Sequence, residues 1–269
     1  MSFAEVLRGH HIRGVLANSW IVDKLTKSTA ESLVIDFFFL PKHKNAGKIE
    51  SHMWFFKGFC KYLNPKLTQI LDVGTLALPQ SISRMALYMD METQVGGVCG
   101  EIEVMVPEKM TWGESVVVSS QYVEYKVSHF LDKAFESFFG FVSVLPGAFS
   151  MFRWESIQGR PMESFFKGLH KDNHTPSEAN MYLAEDRIMC LEILVKRNSN
   201  WILKYVPDCV ALTDPPMSLN VLIKQRRRWT NGSLFAALHC FKNFPEVKKS
   251  SHSICRKVLI YLLFFYQMS

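Results

Sequence analysis

The amino-acid sequence predicts a single α/β domain, in which a sheet is flanked by helices. Short runs of apolar, β-forming residues alternate with longer stretches of helical periodicity, and no repeat or low-complexity linker interrupts them before about residue 250. The chain has 269 residues, which is enough to bury a sizeable core. Its hydrophobic fraction of 48% excludes a disordered protein.

Charge and cysteine content narrow the function classes. The net charge of +6 fits an anionic ligand or a lipid surface, but it is not the dense basic field of a nucleic-acid binder, so we expect no nucleic-acid partner. The six cysteines include no CxxC pair and no histidine at ligand spacing. We therefore expect reduced, mostly buried thiols and neither a zinc site nor a disulfide framework.

In the N-terminal half, the apolar run at 33–40 predicts a buried strand. Residues 51–63 are typical of a helix that ends at Asn64-Pro65. The stretch 68–75 predicts a second strand that runs into Asp72 and a glycine turn. Pro79 begins the next helix. Its expected inner face carries Ile82, Ala86 and Met89.

In the middle of the chain, 96–102 is typical of a glycine-rich turn that leads into a strand. Residues 121–139 predict a long helix. Residues 140–149 predict a strand that ends in a Pro146-Gly147 turn.

Two helices follow in the C-terminal half. Ser177 is the expected cap of the first helix. Its inner face carries Ala184, Ile188, Leu191 and Val195. Asp214-Pro215-Pro216 is a break, and Ser218 begins a helix that Gly232 weakens or ends. The expected inner face of this second helix consists of Leu219, Leu222 and Ile223.

Three short motifs carry candidate chemistry. Asp72 stands at the end of a strand and before Gly74, where a carboxylate can hold a divalent cation, although plain turn chemistry gives the same pattern. Glu185 and Asp186 lie in the helix that Ser177 is expected to cap, or at its entry, and point about 100° apart, so they do not form a paired dyad. One of them can serve as a general base, and a solvated acidic patch is the alternative.

The third motif is Gln225-Arg226-Arg227-Arg228-Trp229. Arginine matches phosphate oxygens and tryptophan offers a flat face to a sugar ring. Gln225, Arg226 and Trp229 share one side of a helix, so a single ligand can meet an amide, a guanidinium and an indole. A basic surface patch is the alternative for this pattern taken alone.

The C-terminus carries a basic flank and then an apolar run at 258–266. Nine apolar or aromatic residues cannot span a bilayer, but a basic flank before such a run is typical of the start of a membrane helix. We expect the start of a truncated transmembrane region at 251–269. A short buried helix or strand is the alternative.

Taken together, the motifs resemble the fungal-type chitin synthases, which are processive family 2 glycosyltransferases. Five segments occur in that family's order and approximate spacing, and the resemblance covers about residues 33–245. The segments are 72–75, 97–102, 144–149, 184–187 and 225–229, with further similarity at 42–59 and at 121–129. Hyaluronan and cellulose synthases share part of the pattern, but Glu185-Asp186-Arg187 with the three arginines resembles the chitin synthases more closely.

The resemblance implies a GT-A-like mixed sheet flanked by helices and an inverting hexosyltransferase. The donor would be UDP-N-acetylglucosamine, and the acceptor the non-reducing end of a growing β-1,4 chitin chain. Asp72 matches the position that binds Mg²⁺ or Mn²⁺. Asp186 matches the general base, with Glu185 and Arg187 in support. The implied substrate-binding residues are Gln225, Arg226, Arg227, Arg228, Trp229, Lys48 and Gly147.

The sequence departs from the family pattern in two ways. Some members carry a second acidic residue in the metal motif, where this chain has Gly74. The family's first strands, which hold uridine, have no counterpart before Leu33, and its channel-forming helices have none after Tyr266. We therefore expect a partial catalytic domain at 1–250 that does not make polymer alone.

For the longer protein, the resemblance implies a multi-pass plasma-membrane enzyme with its catalytic domain facing the cytoplasm, and a homodimer. The alternative is a non-catalytic, chitin-synthase-like protein that binds nucleotide sugar or partners a complete enzyme. An RNA-binding module is disfavoured because aromatic and basic residues do not interleave on one sheet face.

Overall fold

The computed structural model describes His43 and residues 47–169 and 175–268. The strand predicted at 33–40 lies outside these residues. The chain divides into two compact units, Met1–Gly58 and Phe59–Ser269.

One mixed sheet of five strands forms the centre of the larger unit, within the part of the chain that the structure describes. The spatial order is β1-β4-β3-β5-β2. Strands β3 and β5 are parallel, and every other neighbouring pair is antiparallel. The strands are β1 Leu67–Leu71, β2 Thr75–Ala77, β3 Val95–Val104, β4 Phe149–Arg153 and β5 Ile202–Thr213. The predicted α/β class with a mixed sheet is confirmed.

Helices of the same unit flank this sheet, and one further helix, the first below, lies in the unit Met1–Gly58. In chain order they are α1 Lys48–Met53, α2 Ser81–Met91, α3 Trp112–Val127, α4 Ala134–Phe138, α5 Trp154–Ile157, α6 Arg160–Phe166, α7 Pro176–Met181, α8 Glu185–Leu194, α9 Leu219–Asn243 and α10 Ile254–Met268. A π-helical stretch, Trp54–Cys60, extends α1, and another, Ser128–Lys133, joins α3 to α4. The helix predicted at 121–139 therefore exists, but it begins earlier, where Thr111 and Glu114 form a capping box.

Strand β3 corrects the prediction of a glycine-rich turn at 96–102, because the glycines lie within the central strand. A Cβ on Gly97 would stand 2.7 Å from a methyl group of Leu145. On Gly100 it would stand 2.2 Å from the carbonyl oxygen of Cys209. These positions lack side chains because the neighbouring segments pack directly on the strand.

Strand β5 was not recognised in the sequence. Its ladder with β3 jumps from the pair Cys99–Tyr205 to the pair Glu101–Val210. Residues 206–209 therefore form a bulge. Two residues that are common in turns, Pro207 and Asp208, are exposed there. Proline within a strand is normally confined to edges or bulges. Pro207 therefore argues against a strand in the sequence, although it lies in a bulge of the long strand β5.

Three predictions about helix ends and faces are wrong. Thr175, not Ser177, caps α7. Helix α9 continues through Gly232 to Asn243, because Gly232, Ala236 and Cys240 form its buried side at a spacing of four. Leu219 and Ile223, expected to face inward, are 58% and 55% exposed. The predicted inner face of α8 is confirmed, since Ala184, Ile188, Leu191 and Val195 are all buried.

The C-terminal apolar run forms helix α10, one of the forms that the sequence allowed. Ile260, Leu263 and Phe264 are buried, and the ring of Phe264 stacks on Phe141 with centroids 5.0 Å apart. Among the described residues, no helix has the length and apolar character needed to cross a bilayer. A membrane role for 251–269 stays a prediction.

Helix α3 and the π-helical stretch after it are tied to β3 by polar contacts. The Nε2 atom of His129 accepts from the N–H of Ile102 at 3.3 Å, and its Nδ1 donates to the carbonyl oxygen of Tyr125 at 2.7 Å. Lys126 forms ion pairs with Glu101, at 2.7 Å, and with Glu103. The contact with Ile102 requires a neutral ring, because a protonated Nε2 cannot accept a hydrogen bond. Burial, reinforced by the charge of Lys133, lowers its pKa to about 3.

The stability of the chain should therefore depend on His129 in acid. An unfolded histidine has a pKa of about 6.5, so between that value and the folded pKa the unfolded state binds more protons. The contribution of His129 is complete above pH ~6.5 and is lost as the pH falls, by about 2 kcal/mol at pH ~5. We expect His129→Asn, which keeps a donor but does not titrate, to lose less stability than wild type between pH ~7.5 and ~5 in urea unfolding.

The exposed His43 provides the matched control. His43→Asn should keep the full pH dependence of the wild type. An equally steep loss of stability in His129→Asn would contradict the neutral, buried role of this ring.

Candidate active site

The topology brings several motifs to one end of the sheet. Strand β1 ends where β4 begins, because Leu71 pairs with Phe149. Strand β5 ends at Thr213, which pairs with both the last residue of β3 and the first residue of β2. Asp72, Ala148 and Asp214 therefore lie at the same end, beyond the carboxyl ends of the parallel strands. Open α/β sheets bind their ligands at this end.

The turn after β1 is held by backbone hydrogen bonds. The N–H of Asp72 donates to the carbonyl oxygen of Ala148 at 3.4 Å, and the N–H of Thr75 donates to that of Asp72 at 3.1 Å. Gly74 adopts a φ of 87°, a left-handed conformation that favours glycine. The turn connects the two edge strands of the sheet, and it fixes Asp72 where β1 meets the loop before β4.

Asp214 is a site residue that the sequence treated only as part of a chain break. Its N–H donates to the carbonyl oxygen of Gly74 at 3.3 Å. One oxygen of its carboxylate lies 3.2 Å from the place that a Cβ of Gly74 would take. A carboxylate from the end of β5 therefore lies beside Gly74, the position at which the motif 72–74 has no acidic side chain. No local signal indicates this, because 140 residues of chain separate Asp214 from Gly74.

These carboxylates are the groups that could hold a divalent cation. Within the described ranges, no three His, Cys, Asp or Glu side chains come together as a metal site. Asp72 and Asp214 nevertheless offer hard oxygen donors at one end of the sheet. Mg²⁺ is commonly bound by one or two carboxylates together with substrate phosphates. The residues therefore fit a cation that binds with a phosphate ligand.

Asp186 is positioned by the loop before β4. It lies in the first turn of α8, is partly buried, and accepts a hydrogen bond from the N–H of Gly147 at 3.1 Å. The positive end of the helix also favours a negative charge there. The structure thus brings together Asp186 and Gly147, two predicted site residues that are 39 positions apart.

The loop itself corrects the strand predicted at 140–149, since β4 begins only at Phe149. Alternate N–H groups of the loop donate to side chains and not to a neighbouring strand. Ser143 donates to Glu136 at 2.8 Å, Leu145 to the sulfur of Cys190 at 3.2 Å, and Gly147 to Asp186. The segment is not a strand, and the side chains that accept from it lie on helices α4 and α8.

The other members of the acidic motif lie close by. Glu185, partly buried, is the first residue of α8. Burial raises the pKa of Glu136, whereas its hydrogen bond from Ser143 and the positive charge of Arg187 lower it. Arg187 therefore stabilises the carboxylate that holds the loop, while Asp186 holds the same loop four residues further on.

The arginine-rich segment lies on α9, which packs against the start of α8. A Cβ on Gly232 would stand 3.0 Å from both the Cβ and the backbone nitrogen of Ala184, the residue before Glu185. On this helix the guanidinium of Arg226 lies 4.3 Å from the centroid of the Trp229 ring, as expected for residues on one face. Arg227 and Arg228 are exposed, and Trp229 is 36% exposed.

Comparison with known proteins agrees with this arrangement. A family model described as "Chitin synthase-like glycosyltransferase domain" matches residues 16–244. The chain belongs to this family. It is 44% identical over 243 residues to Chitin synthase C of Aspergillus oryzae, covering 87% of this chain and 26% of that protein. It is 43% identical over 235 residues to Chitin synthase 1 of Saccharomyces cerevisiae, covering 86% and 21%.

An oomycete protein shows a similar match. Chitin synthase 1 of Phytophthora sojae is 40% identical over 241 residues, which cover 88% of this chain and 26% of that protein. The chain thus spans about a quarter of the length of these curated relatives. Lys48, the remaining predicted site residue, is exposed and is the first residue of α1, in the unit Met1–Gly58 of this chitin synthase-like chain.

The contact between Gly232 and Ala184 gives a testable prediction. A leucine at position 232 favours the helix but would overlap backbone atoms at the start of α8. We expect Gly232→Leu to lower the free energy of unfolding by about 2 kcal/mol, as overpacking does elsewhere. Urea unfolding followed by circular dichroism would measure it.

Gly113 in the first turn of α3 is the matched control, because a Cβ there meets nothing within 4 Å. Gly113→Leu should leave stability unchanged or slightly raised. Equal stability of the two variants would show that α9 does not depend on close packing at Gly232.

Proposed function

We propose that this chain forms the catalytic part of a chitin synthase. It would transfer N-acetylglucosamine from UDP-N-acetylglucosamine to the non-reducing end of a growing β-1,4 chitin chain, with inversion at the anomeric carbon. The observation that carries this proposal is the hydrogen bond between Gly147 and Asp186. It holds one carboxylate at the sheet end where Asp72 and Asp214 lie. Membership of the chitin synthase-like family supports the substrate.

Asp186 is the proposed general base. Its carboxylate accepts the proton of the acceptor's 4-hydroxyl group as that oxygen attacks the anomeric carbon of the donor. The new carbon–oxygen bond forms while the bond to the diphosphate breaks, and UDP leaves. Asp186 can do this because the N–H of Gly147 and the first turn of α8 fix its carboxylate in position. Glu185 and Arg187 support the base from the same helix turn.

The arginines of α9 would stabilise the leaving group. Negative charge develops on the diphosphate during the transfer, and guanidinium groups fixed in advance stabilise it most. Arg226, Arg227 and Arg228 lie on the helix that packs on the start of α8, with Gln225 beside them. The face of Trp229 opposite Arg226 is proposed to contact the terminal sugar of the acceptor. Gly147 completes the proposed substrate-binding residues of this unit, and the role of Lys48, in the unit Met1–Gly58, stays a prediction from the sequence.

A divalent cation, Mg²⁺ or Mn²⁺, would bind with the donor at Asp72 and Asp214. When bound, it would add positive charge at the diphosphate. In support, the turn that follows Asp72 is hydrogen-bonded to Asp214, whose N–H donates to the carbonyl oxygen of Gly74. A cation that needs the diphosphate to complete its ligands binds weakly without the donor, so cation and donor affinity should be linked.

We also propose that the chain is part of a multi-pass plasma-membrane enzyme, with this domain facing the cytoplasm, and that this enzyme forms a homodimer. The support in this chain is a group of basic residues around the start of α10, followed by the apolar residues of that helix. Lys248 and Lys249 precede the helix, and Arg256 and Lys257 lie in its first turn.

Replacing the base tests the mechanism directly. Asp186→Asn keeps an oxygen that can accept from Gly147 but removes the basic carboxylate. In the catalytically active protein, we expect chitin synthesis to fall at least ~100-fold, because a general base contributes ~10²–10⁴. Donor binding, measured by calorimetry with UDP-N-acetylglucosamine, should change less than about twofold, equivalent to under ~0.5 kcal/mol.

Asp132, which is exposed on the π-helical stretch after α3, gives a charge-matched control. Asp132→Asn should leave both synthesis and binding as in wild type. Wild-type synthesis in Asp186→Asn would remove Asp186 as the base, and a non-catalytic protein would bind the donor but show no synthesis in any variant.

The cation site is tested by removing each carboxylate. We expect Asp72→Asn and Asp214→Asn each to weaken Mn²⁺ binding in the presence of UDP by roughly tenfold, since each removes a hard oxygen ligand. Electron paramagnetic resonance of free Mn²⁺ would measure it. Asp208→Asn, at the exposed bulge of β5, is the control. Unchanged Mn²⁺ binding in Asp214→Asn would exclude Asp214 as a ligand.

A further inference from the structure

Arg226 is already engaged by a residue of α3. One oxygen of the Glu124 carboxylate lies 2.6 Å from Nη2 of Arg226 and 3.1 Å from its Nε. These two contacts fix the orientation of the guanidinium, which a single contact would leave free to turn. The pair joins residues 102 positions apart, and it connects α3 to the arginine segment of α9.

The same guanidinium lies against two aromatic rings. Its centre is 4.3 Å from the centroid of Trp229 and 5.8 Å from that of Tyr125, and Nη1 donates to Gln225 at 2.9 Å. A cation at such a distance is attracted to the face of an aromatic ring. Arg226 therefore lies over one face of the indole, and the side chain of Trp229 stays 36% exposed.

Helix α3 holds the beginning of α9 at a second point. The buried side chain of Gln121, one turn before Glu124, donates to the carbonyl oxygen of Pro216 at 2.8 Å. Pro216 lies between Asp214 and the first residue of α9. One face of α3 thus holds both the segment that leaves the sheet and the guanidinium two turns into α9.

We propose that Glu124 is a positioning residue for this site. Its carboxylate holds the Arg226 guanidinium against the ring of Trp229, so that the positive charge faces the diphosphate and the indole is presented to the sugar. The role towards the diphosphate rests on the proposed function, whereas the placement of Trp229 does not. A carboxylate beside an arginine also has a simpler effect, because it cancels positive charge and weakens anion binding.

These two effects of Glu124 have opposite signs, which makes the proposal testable. If Glu124 only cancels charge, Glu124→Gln should bind anions more tightly. If it positions Arg226, the same variant should bind a diphosphate more weakly, although the protein has become more positive. Glu163→Gln is the matched control, because Glu163 is exposed on α6 and makes the same change in net charge.

The first measurement follows Trp229 without any ligand. Acrylamide quenching of tryptophan fluorescence is compared between the 269-residue chain and its Glu124→Gln variant. Each protein is also measured with Trp229→Phe, and the difference between the two signals gives the contribution of Trp229. We expect its quenching constant to rise at least ~2-fold in Glu124→Gln, because the guanidinium no longer covers the ring. An unchanged constant would overturn the placement. Glu163→Gln should match the wild type.

The second measurement is calorimetric binding of inorganic diphosphate to the same chain without divalent cations. We expect the affinity to fall about tenfold in Glu124→Gln, equivalent to ~1.4 kcal/mol, and to be unchanged in Glu163→Gln. The double variant Glu124→Arg with Arg226→Glu restores the ion pair with its charges exchanged. It should recover the unfolding free energy lost in Glu124→Gln but not the diphosphate affinity.

The outcomes separate the two proposals. A wild-type chain that binds no diphosphate, either without divalent cations or with Mn²⁺ added, overturns both the proposed donor site and this role of Glu124. Wild-type binding, together with equal or tighter binding in Glu124→Gln, overturns the role of Glu124 alone. Recovery of diphosphate binding in the exchanged double variant would show that the ion pair is only structural.

Discussion

The hydrogen bond between the N–H of Gly147 and the Asp186 carboxylate is the contact on which the rest of the site depends. It ties the loop before β4 to the first turn of α8, and the same loop is held by Glu136 and Cys190 at alternate residues. The loop runs into β4, which pairs with β1. The Asp186 carboxylate is therefore held at a fixed position relative to the end of the sheet that carries Asp72. A flexible loop at this point would leave the proposed base and the proposed cation site without a fixed separation.

Helix α3 supplies the second constraint. With the π-helical stretch after it, it is fixed to the central strand through Lys126 and His129, and to α9 through Gln121 and Glu124. The arginine segment is thus positioned from the sheet through α3, which contacts both Arg226 and the segment before α9. Charged groups stabilise a developing charge most effectively when they are already in position before the reaction. Here ion pairs and hydrogen bonds hold the arginine side chain in position.

Local patterns predicted the α/β class, strand β1 with Asp72 after it, and the inner face of α8. They failed where tertiary contacts decide the structure. The sequence around Gly97 and Gly100 predicts a turn. The structure shows a strand, because distant segments pack so closely on these two positions that no side chain fits. Strand β5 was missed because Pro207 lies in a bulge. The positions of Asp214 beside Gly74 and of Glu124 beside Arg226 depend on contacts across more than 100 residues, which no spacing rule contains.

The bulge at 206–209 has a consequence for how the sequence can vary. It divides the ladder between β3 and β5 into two parts with separate registers, one ending at Tyr205 and the other starting at Val210. An insertion or deletion at the exposed Pro207 or Asp208 changes the size of the bulge, whereas Val206 and Cys209 pack against the core. A single-residue deletion at 210–213 would instead turn the remaining residues of the strand to the opposite face of the sheet. Insertions and deletions among homologous sequences should therefore occur at the bulge and be absent from Val210 onwards in the strand.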